Sequence, residues 1–406
     1  MKGIAFLFLS FLLSTSVQAQ CNINTPSELL EMIKKNHPRI SINKSKSHVL
    51  EKSIDYADQT PNPELDAEST VGDSTEGNVY TTTVTLKHTF ELGGKKRARV
   101  NVAKSNYKLG MAAARFENED SLIDSIKSIH RLRQIYEIIP LYEESLSAFN
   151  KILKTLKKRS SISPEQRVER ETLELVTNDY KLKMSQLNSE KVRLSKHLTF
   201  FTGTNCIIPR NSLPNDVNLS ESFDDSKKTD SYSKLNYAKS ALDLAQANYE
   251  LEKSNSYPDL KVGPTFEYEK LNVTNTKTVG IALTMDLPVF NVNGGGRAKA
   301  AKEIIVASSQ FKNIQLESEL DLESWISTYR TYKDSLLTIA TKKELERKHT
   351  RIEALFKRGI ISTSLVIESH RQLIEFSNTR FEFEIGAVEA LWNIYKMKGQ
   401  LNTKSI

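Results

Sequence analysis

The amino-acid sequence predicts an α+β membrane protein made mostly of long coiled-coil α-helices, with four β-strands divided between two similar halves. Glycine (15) and proline (11) together supply about 6 per cent of the 406 residues, roughly half the usual share of about 12 per cent, so turns are few and helices long. Two segments alternate apolar and polar residues over about ten positions, the length of a tilted strand that crosses a bilayer. Several segments also recur about 200 residues apart, which indicates an internal repeat.

The first 19 residues have the features of a secretory signal peptide. Lys2 provides the positive charge, residues 4–13 are apolar, and residues 17–19 offer a small-residue cleavage site. No later stretch reaches about 18 consecutive apolar residues, so no membrane-spanning helix is expected. We therefore expect an exported protein.

Two cysteines, Cys21 and Cys206, follow this segment. In an oxidising compartment a disulfide between them is expected if the fold brings them together. The alternatives are lipidation of Cys21, although its flanking residues Gln18 and Gln20 fit a lipid-attachment motif poorly, and two unpaired thiols. The sequence contains no Cys-x-x-Cys motif, so it does not indicate redox chemistry.

The internal repeat is marked by three pairs of similar segments in the same order. Residues 63–65, 90–98 and 158–163 recur as residues 258–260, 290–298 and 357–362. A tandem duplication with halves of about 200 residues explains this spacing. The predicted divisions are a signal peptide at 1–19, a first repeat at 20–202, an irregular linker at 203–231 and a second repeat at 232–406.

Each half is predicted to begin with a helix and continue with two strands. The capping box Thr25 to Glu28 marks the first helix. Turns are expected at residues 72–74 and 272–277, between the strands of each pair. Along the last strand, one face is apolar and the other is small or polar, with Val279, Ile281, Leu283 and Met285 opposite Gly280, Ala282, Thr284 and Asp286. Residues 80–88 alternate in the same way.

Long helices are predicted after the second strand of each half. Apolar residues recur every three or four positions from Leu122 to Leu156, as in a coiled-coil seam. Pro140 lies inside this seam and predicts a kink, because it removes one helical hydrogen bond. The longest helix would reach roughly 80 to 90 Å. The predicted helices cover residues 99–157, 165–201, 297–355 and 365–398.

The number of strands limits how they can cross a membrane. Backbone groups in lipid must all be paired, so spanning strands occur only in closed barrels, the smallest of which have about eight strands. Four strands therefore require several chains for one barrel. Two chains would give about eight strands and a filled interior, whereas three would give about twelve and leave a lumen, so a passage favours a homotrimer.

Two motifs, together with the repeat plan, resemble the TolC-like outer-membrane efflux protein family. They are the segment Phe90 to Ala98 and the helical turn Phe356 to Ser362 followed by Leu365. The amino-acid sequences of two short segments, residues 90–97 and Leu287 to Asn291, resemble those of the CzcC-like heavy-metal efflux branch of that family. The resemblance spans nearly the whole chain after the signal peptide.

The resemblance implies a homotrimer in the bacterial outer membrane, with most of each chain in the periplasm. A twelve-stranded barrel would continue into a twelve-helix periplasmic tunnel, with residues 203–231 in its equatorial region. The implied partners are outer-membrane lipid, a periplasmic adaptor (membrane fusion) protein and an inner-membrane pump of the RND type. The implied function is a passive exit duct of a tripartite efflux system, with heavy-metal cations as cargo.

Two other functions remain open. A duct of the same fold could export small-molecule drugs or toxins, or proteins by type I secretion. In a different class, the chain could be a secreted coiled-coil scaffold whose strands pair with a partner.

Two sets of residues are candidate functional positions. By resemblance, the helix-hairpin tips are where the adaptor would bind, and they contain Arg159, Ser160, Ile162, Ser163, Arg358, Gly359, Ile360 and Ser362. The strand-to-helix turns are expected at Gly93, Gly94, Gly294, Gly295 and Gly296, because glycine permits sharp reversals.

Catalytic, cofactor and metal sites are not expected. The glycine clusters match neither G-x-x-x-x-G-K-[ST] nor G-x-G-x-x-G. The seven histidines form no H-E-x-x-H motif and have no partners at the usual ligand spacing, so no metal site and no enzymatic activity are predicted. The net charge is +7, but the basic residues lie beside acidic ones along the helices, so nucleic acid is not an expected partner.

Overall fold

The computed structural model describes residues 23–75, 77–203, 208–224, 231–272 and 274–406. The signal peptide at 1–19 and the Cys21–Cys206 disulfide lie outside the described residues and stay predictions.

Both halves share a core order of a helix, two strands and then long helices, but the first half has two helices before its strands and the second half has three helices after them. The first half contains α1 (Pro26–Asn36), α2 (Pro38–Ala57), β1 (Glu64–Ser74), β2 (Gly77–Phe90), α3 (Lys95–Lys157) and α4 (Pro164–Phe201). The second half contains α5 (Ser233–Ser254), β3 (Leu260–Leu271), β4 (Thr274–Met285), α6 (Gly294–Thr338), α7 (Lys342–Lys357) and α8 (Thr363–Met397). This shared order supports the tandem duplication, while the boundaries of the two repeats stay a prediction.

The first half opens with two helices. The Thr25 hydroxyl accepts the Glu28 backbone N–H at 3.2 Å, which confirms the predicted helix start. The Glu28 carboxylate accepts from the Asn24 N–H and not from Thr25, so the predicted capping box is only half formed. His37 then separates α1 from α2, because the proline that follows it disfavours a helical conformation at this position.

The longest helix, α3, has 63 residues and a length of about 95 Å. It begins four residues earlier than predicted, directly after Gly94, and it continues through Pro140 without ending. The predicted helices at 165–201 and 365–398 agree with α4 and α8 to within two residues.

The prediction of one continuous helix at 297–355 is wrong. Helix α6 ends at Thr338, Ile339 is extended, and α7 begins at Lys342. The cause is a complete capping box: the Thr341 hydroxyl accepts the Glu344 N–H at 3.3 Å, and the Glu344 carboxylate accepts the Thr341 N–H at 2.9 Å. Such a pair satisfies two groups that a helix start leaves unpaired, so it favours a new helix at this point.

The strands form one antiparallel sheet in the order β1-β2-β3-β4. In its middle, Val84 of β2 lies opposite Ala67 of β1 and Phe266 of β3. The turns are shorter than predicted, because Gly72 to Ser74 belong to β1 and Thr274 to Lys277 belong to β4. Asn272, the first residue after β3, has a positive φ of 50°, which is typical of two-residue hairpin turns. Gly77, the first residue of β2, has a φ of 117°, a conformation that favours glycine.

The hydrophobic core lies among the helices. One cluster joins α1, the middle of α3 and the end of α8 with the segment 208–217, which contributes Ile208, Leu213 and Val217. A second cluster joins the far half of α3 with α4 and α8. The buried residues of α3 include Leu122, Ile126, Ile129, Leu132, Leu146, Leu153 and Leu156, as its apolar seam predicted. No helix in the described part of the chain is both long enough and apolar enough to cross a membrane.

Candidate channel wall, helix tips and buried histidine pair

One face of the sheet is apolar and exposed. Residues directly opposite each other on neighbouring strands share a face, so the alternation seen in each strand extends across the whole sheet. Ile281, for example, exposes 80% of its surface. An apolar patch of this kind is typical of surfaces that lipid or another protein covers. The same face also carries Ser69, Thr82, His88, Lys270 and Lys277, and its apolar residues include Leu65, Ala67, Val71, Tyr80, Val84, Leu86, Phe90, Val262, Phe266, Tyr268, Val279, Ile281, Leu283 and Met285.

The opposite face of the sheet is polar and charged. Near its helical end, the Lys87 ammonium lies 2.5 Å from the Asp66 carboxylate, and the Lys261 ammonium lies 2.5 Å from Glu64. The hydroxyls of Thr85 and Thr265 are hydrogen-bonded at 2.9 Å. Further along, this face carries Glu68, Thr81, Thr83, Glu267, Glu269, Thr276 and Thr278. Such a surface can border water.

The two outer strands have one open edge each. Within the described sheet, β1 pairs only with β2, and β4 pairs only with β3. An open edge carries unpaired backbone N–H and C=O groups and can accept another strand. The sheet can therefore be extended at both sides.

The first strand-to-helix turn depends on two glycines. Gly93 and Gly94 have positive φ angles of 68° and 73°, and Gly94 caps α3. A Cβ atom at Gly93 would lie 2.4 Å from the Tyr257 ring. Lys95 closes the junction with an ion pair to Asp259 at 2.7 Å.

The second strand-to-helix turn is built differently from the prediction. Asn293, with φ of 54°, takes the left-handed conformation and caps α6. Gly294, Gly295 and Gly296 form the first turn of α6 and not the reversal itself. At Gly296, a Cβ atom would lie 2.3 Å from the Asn293 side-chain oxygen and 2.6 Å from the Glu252 carboxylate, so glycine permits a close approach here.

The two helix hairpins turn at the predicted tip segments. Ser163 caps α4 by accepting the Gln166 N–H at 3.2 Å, and Ser362 caps α8 by accepting the Leu365 N–H at 3.3 Å. Gly359 has a φ of 71°, which the reversal requires. At these turns Arg159, Ser160, Arg358, Gly359 and Ile360 are exposed, and Ile162 is half-buried.

Both tips lie at the same end of the molecule. The last apolar residues before the turns, Leu156 of α3 and Phe356 of α7, pack in or against one hydrophobic cluster, which also contains Leu173 of α4. The tips follow directly after this cluster. Their role in adaptor binding stays a prediction.

The structure brings together a cluster that the sequence did not predict. One potential metal ligand atom each from His349, Glu353 and His370 lies within 4.8 Å of the others. The two imidazole rings have their centroids 4.5 Å apart and are nearly perpendicular. The expectation that no histidine has a ligand partner is wrong for His349.

The surroundings of this cluster are largely buried. The His370 Nδ1 atom lies 2.8 Å from the Ser145 hydroxyl, and the His349 Nε2 atom lies 3.4 Å from a Glu144 carboxylate oxygen. Burial, followed by repulsion from His349, lowers the pKa of His370 to about 4. The sequence signal was the spacing of four between His349 and Glu353, which places both on one helix face. The third member comes from another helix, so no local motif contains it.

Comparisons with known proteins define the fold. No protein-family model matches the chain. The open-state MtrE outer-membrane channel of Neisseria gonorrhoeae has a TM-score of 0.71 at 13% sequence identity, covering 93% of this chain and 90% of that one. The CmeC outer-membrane channel of Campylobacter jejuni has a TM-score of 0.68 at 13% identity, covering 93% and 86%. These solved structures are channels and not enzymes.

The chain therefore has the fold of TolC-like outer-membrane channels, as its sequence predicted, and the predicted location is that of these channels. Its sequence is similar to CzcC, the cobalt-zinc-cadmium resistance protein of Cupriavidus metallidurans, at 24% identity over 262 residues. That match covers 62% of this chain and 60% of CzcC, so it spans about three fifths of the relative's length. The resemblance to the TolC-like family and its CzcC-like branch is confirmed.

Proposed function

We propose that the protein is the outer-membrane exit duct of an efflux system and that three copies form one channel. The observation that carries this proposal is a two-faced sheet with two open edges, attached to a helix about 95 Å long. A sheet with one apolar and one polar face is the wall that a membrane barrel requires, with lipid outside and water inside.

The strand order allows a barrel to close between neighbouring copies of the chain. The strands alternate in direction from β1 to β4, so β4 of one copy and β1 of the next are antiparallel when the copies are related by rotation. Three copies of a four-stranded sheet give about twelve strands, enough to leave a lumen. Every open edge is then paired, which lipid demands.

Exposed apolar side chains on the helices support the same assembly. Val168, Leu175 and Leu182 of α4 are spaced by seven residues and are all exposed, Leu175 by 71%. A seven-residue apolar repeat is the mark of a coiled-coil contact. Neighbouring copies would cover this stripe and complete a tunnel of about twelve helices, four from each chain.

We infer that the cargo is heavy-metal cations, and similarity to CzcC supports this inference. The polar sheet face, with its threonines and glutamates, would line the barrel and let hydrated cations pass without holding them tightly. A channel has no energy source of its own, so a pump of the RND type in the inner membrane and a periplasmic adaptor at the helix tips would complete the system.

Cargo can be tested in a strain that lacks the chromosomal copy. Expression of this protein should restore resistance to zinc, cobalt and cadmium, and a matched panel of dyes and detergents should show little change. Restored resistance to dyes alone would favour small-molecule export, and loss of a secreted protein in the deletion strain would favour type I secretion. Release of the protein from membranes by carbonate or urea washing would favour the scaffold and contradict the duct.

A further inference from the structure

We propose that His349, Glu353 and His370 form a binding site for a divalent transition-metal cation, which ties α7 to α8 near the helix tips. Two imidazole nitrogens and one carboxylate oxygen are the ligands of zinc and of cations with similar preferences, such as cobalt(II). His349 and Glu353 project from one face of α7, and His370 comes from α8, which runs back beside it. The site does not rest on the proposed cargo and would be occupied whatever the duct exports.

Buried nitrogen atoms without hydrogen bonds are the second observation. His370 exposes 1% of its surface and His349 exposes 8%. Among the described residues, neither ring nitrogen of His349 has a hydrogen-bond partner, nor does the Nε2 atom of His370. Buried polar atoms are nearly always paired, and a cation would supply the missing partner.

Hydrogen bonding orients His370 for coordination. The Ser145 hydroxyl donates to the Leu141 carbonyl at 2.7 Å, so its oxygen is left to accept a proton from another group. The His370 Nδ1 atom, 2.8 Å away, must then carry the hydrogen of that contact. The lone pair consequently lies on Nε2, the unpaired atom. Metal-binding histidines are commonly held in this way through their other nitrogen.

A cavity of about 490 Å³ adjoins the site at His349. It is bordered by acidic and basic side chains, and Glu137 is already paired with Arg133 at 3.3 Å. The charged residues at its border include Glu137, Glu144, Glu346, Arg133, Arg210 and Arg380. Glu144 of α3, at 3.4 Å from His349 Nε2, is placed to act as a fourth ligand or to orient the ring. The Lys357 ammonium lies 3.7 Å from Glu353, and this is a long contact on an exposed side chain that a cation could displace.

The position of the site in the fold gives it a structural role. Among the described side chains of α7, His349 is the one that is fully buried, and Phe356 packs against the hydrophobic cluster nearer the tip. His349 precedes Gly359 by ten residues, which corresponds to about 15 Å along the helix. A bound cation would therefore fix α7 between the break at 339–341 and the tip that Arg358 and Gly359 form.

The direct test measures metal bound to the full-length protein in detergent. The protein is stripped with a chelator and titrated with Zn²⁺, with Mg²⁺ as the control cation. We expect one Zn²⁺ per chain, and no Mg²⁺ binding at the same concentrations. The variants are His370→Gln and Glu353→Gln, and the matched control is His48→Gln, at an exposed histidine of α2.

His370→Gln should abolish the bound equivalent, Glu353→Gln should weaken its affinity at least about tenfold, and His48→Gln should change neither. Hydrogen exchange of α7 amides should slow when Zn²⁺ is added to the unaltered protein, and not in His370→Gln. If the His370→Gln variant fails to fold, the Glu353→Gln variant still tests the metal site, because the Glu353 side chain is half-buried and its replacement disturbs the packing less. Equal Zn²⁺ stoichiometry and affinity in unaltered protein and both variants, or no binding at all, would overturn the site.

Discussion

The left-handed glycines at the end of β2 are individual residues on which the junction of sheet and helix depends. Gly93 and Gly94 share a positive φ, but only Gly93 lies against another side chain, the Tyr257 ring. Any side chain strains both positions, by about 1 to 2 kcal/mol. At Gly93 a steric conflict adds to that strain.

We expect Gly93→Ala to destabilise the protein more than Gly94→Ala. The added methyl group at 93 would overlap Tyr257, and overpacking of this kind costs about 1 to 3 kcal/mol beyond the backbone strain. Thermal loss of helical circular dichroism in detergent measures the difference. In a Tyr257→Gly background, which removes both the ring and the Tyr257 Cβ atom that would lie 2.7 Å from the new methyl group, Gly93→Ala should cost no more than Gly94→Ala costs in the unaltered protein. Equal melting of the two single variants would contradict this explanation.

A second residue-scale prediction concerns acid. His130 is buried in α3, and burial, with the nearby Arg133 charge, lowers its pKa to about 3. The unfolded chain takes up a proton near pH 6.5, whereas the folded protein does not. The contribution of His130 to the free energy of unfolding is therefore complete above that pH. It decreases as the pH falls from about 6.5 towards 3, by about 1.4 kcal/mol per pH unit.

His130→Gln should remove this part of the acid sensitivity. Other buried groups titrate equally in both proteins, so the quantity to measure is the difference in melting temperature between the variant and unaltered protein at pH 7.5 and pH 5. The melting temperature of the variant, relative to that of the unaltered protein, should be higher at pH 5 than at pH 7.5. A gap that stays constant would show that His130 is protonated in the folded state.

At the scale of elements, the two faces of the sheet are expected to contact different surroundings, lipid on the apolar side and water on the polar side. Ile281 lies on the apolar face of β4, and Thr278 lies on the polar face, opposite Glu267. If lipid covers the apolar face, lysine is costly at Ile281, by about 2 to 4 kcal/mol at mid-bilayer depth. Lysine at Thr278 would point into water.

We therefore expect Ile281→Lys to reduce the amount of protein assembled in the outer membrane, while Thr278→Lys leaves it close to normal. Heat-dependent mobility of membrane fractions on gels measures the assembled form. The same lysine in the same strand controls for the effect of added charge. Equal assembly of both variants would contradict the assignment of the two faces.

The elements also differ in how well the sequence specifies them. The alternation at 279–285 and the seam from Leu122 to Leu156 predicted β4 and α3, because periodic burial is visible locally. The break between α6 and α7 was missed, although Thr341 and Glu344 form a capping signal, because the apolar pattern continues across it. The segment 208–217 was predicted as an irregular linker, and its packing into the core depends on partners far along the chain.

On the scale of the whole molecule, the two helix tips end one rod of packed helices. Arg358 is exposed there beside Gly359, whose positive φ makes the turn. If an adaptor binds these tips, charge reversal at Arg358 together with added bulk at Ile360 should prevent docking but not trimer formation, because both side chains are exposed and lie outside the packed core.

The variant Arg358→Glu with Ile360→Trp, which leaves the Gly359 turn intact, should abolish metal resistance while the trimer still reaches the outer membrane. Resistance of cells to zinc and cobalt, and trimer content of membranes, are the two measurements. Lys44→Glu, a charge reversal on exposed α2, serves as the control and should leave both unchanged. Normal resistance in the double variant would remove the adaptor role from the tips.

The sequence by itself determined the repeat of elements, the two hairpins, the long helices and the resemblance to outer-membrane channels, because each of these leaves a periodic or motif-sized pattern along the chain. Only the tertiary structure decided that Lys87 meets Asp66 on the polar face, and that His349 and Glu353 meet His370 between two antiparallel helices. These contacts join residues that are distant in sequence, and what brings them together is the packing of one element on another, which no local pattern records.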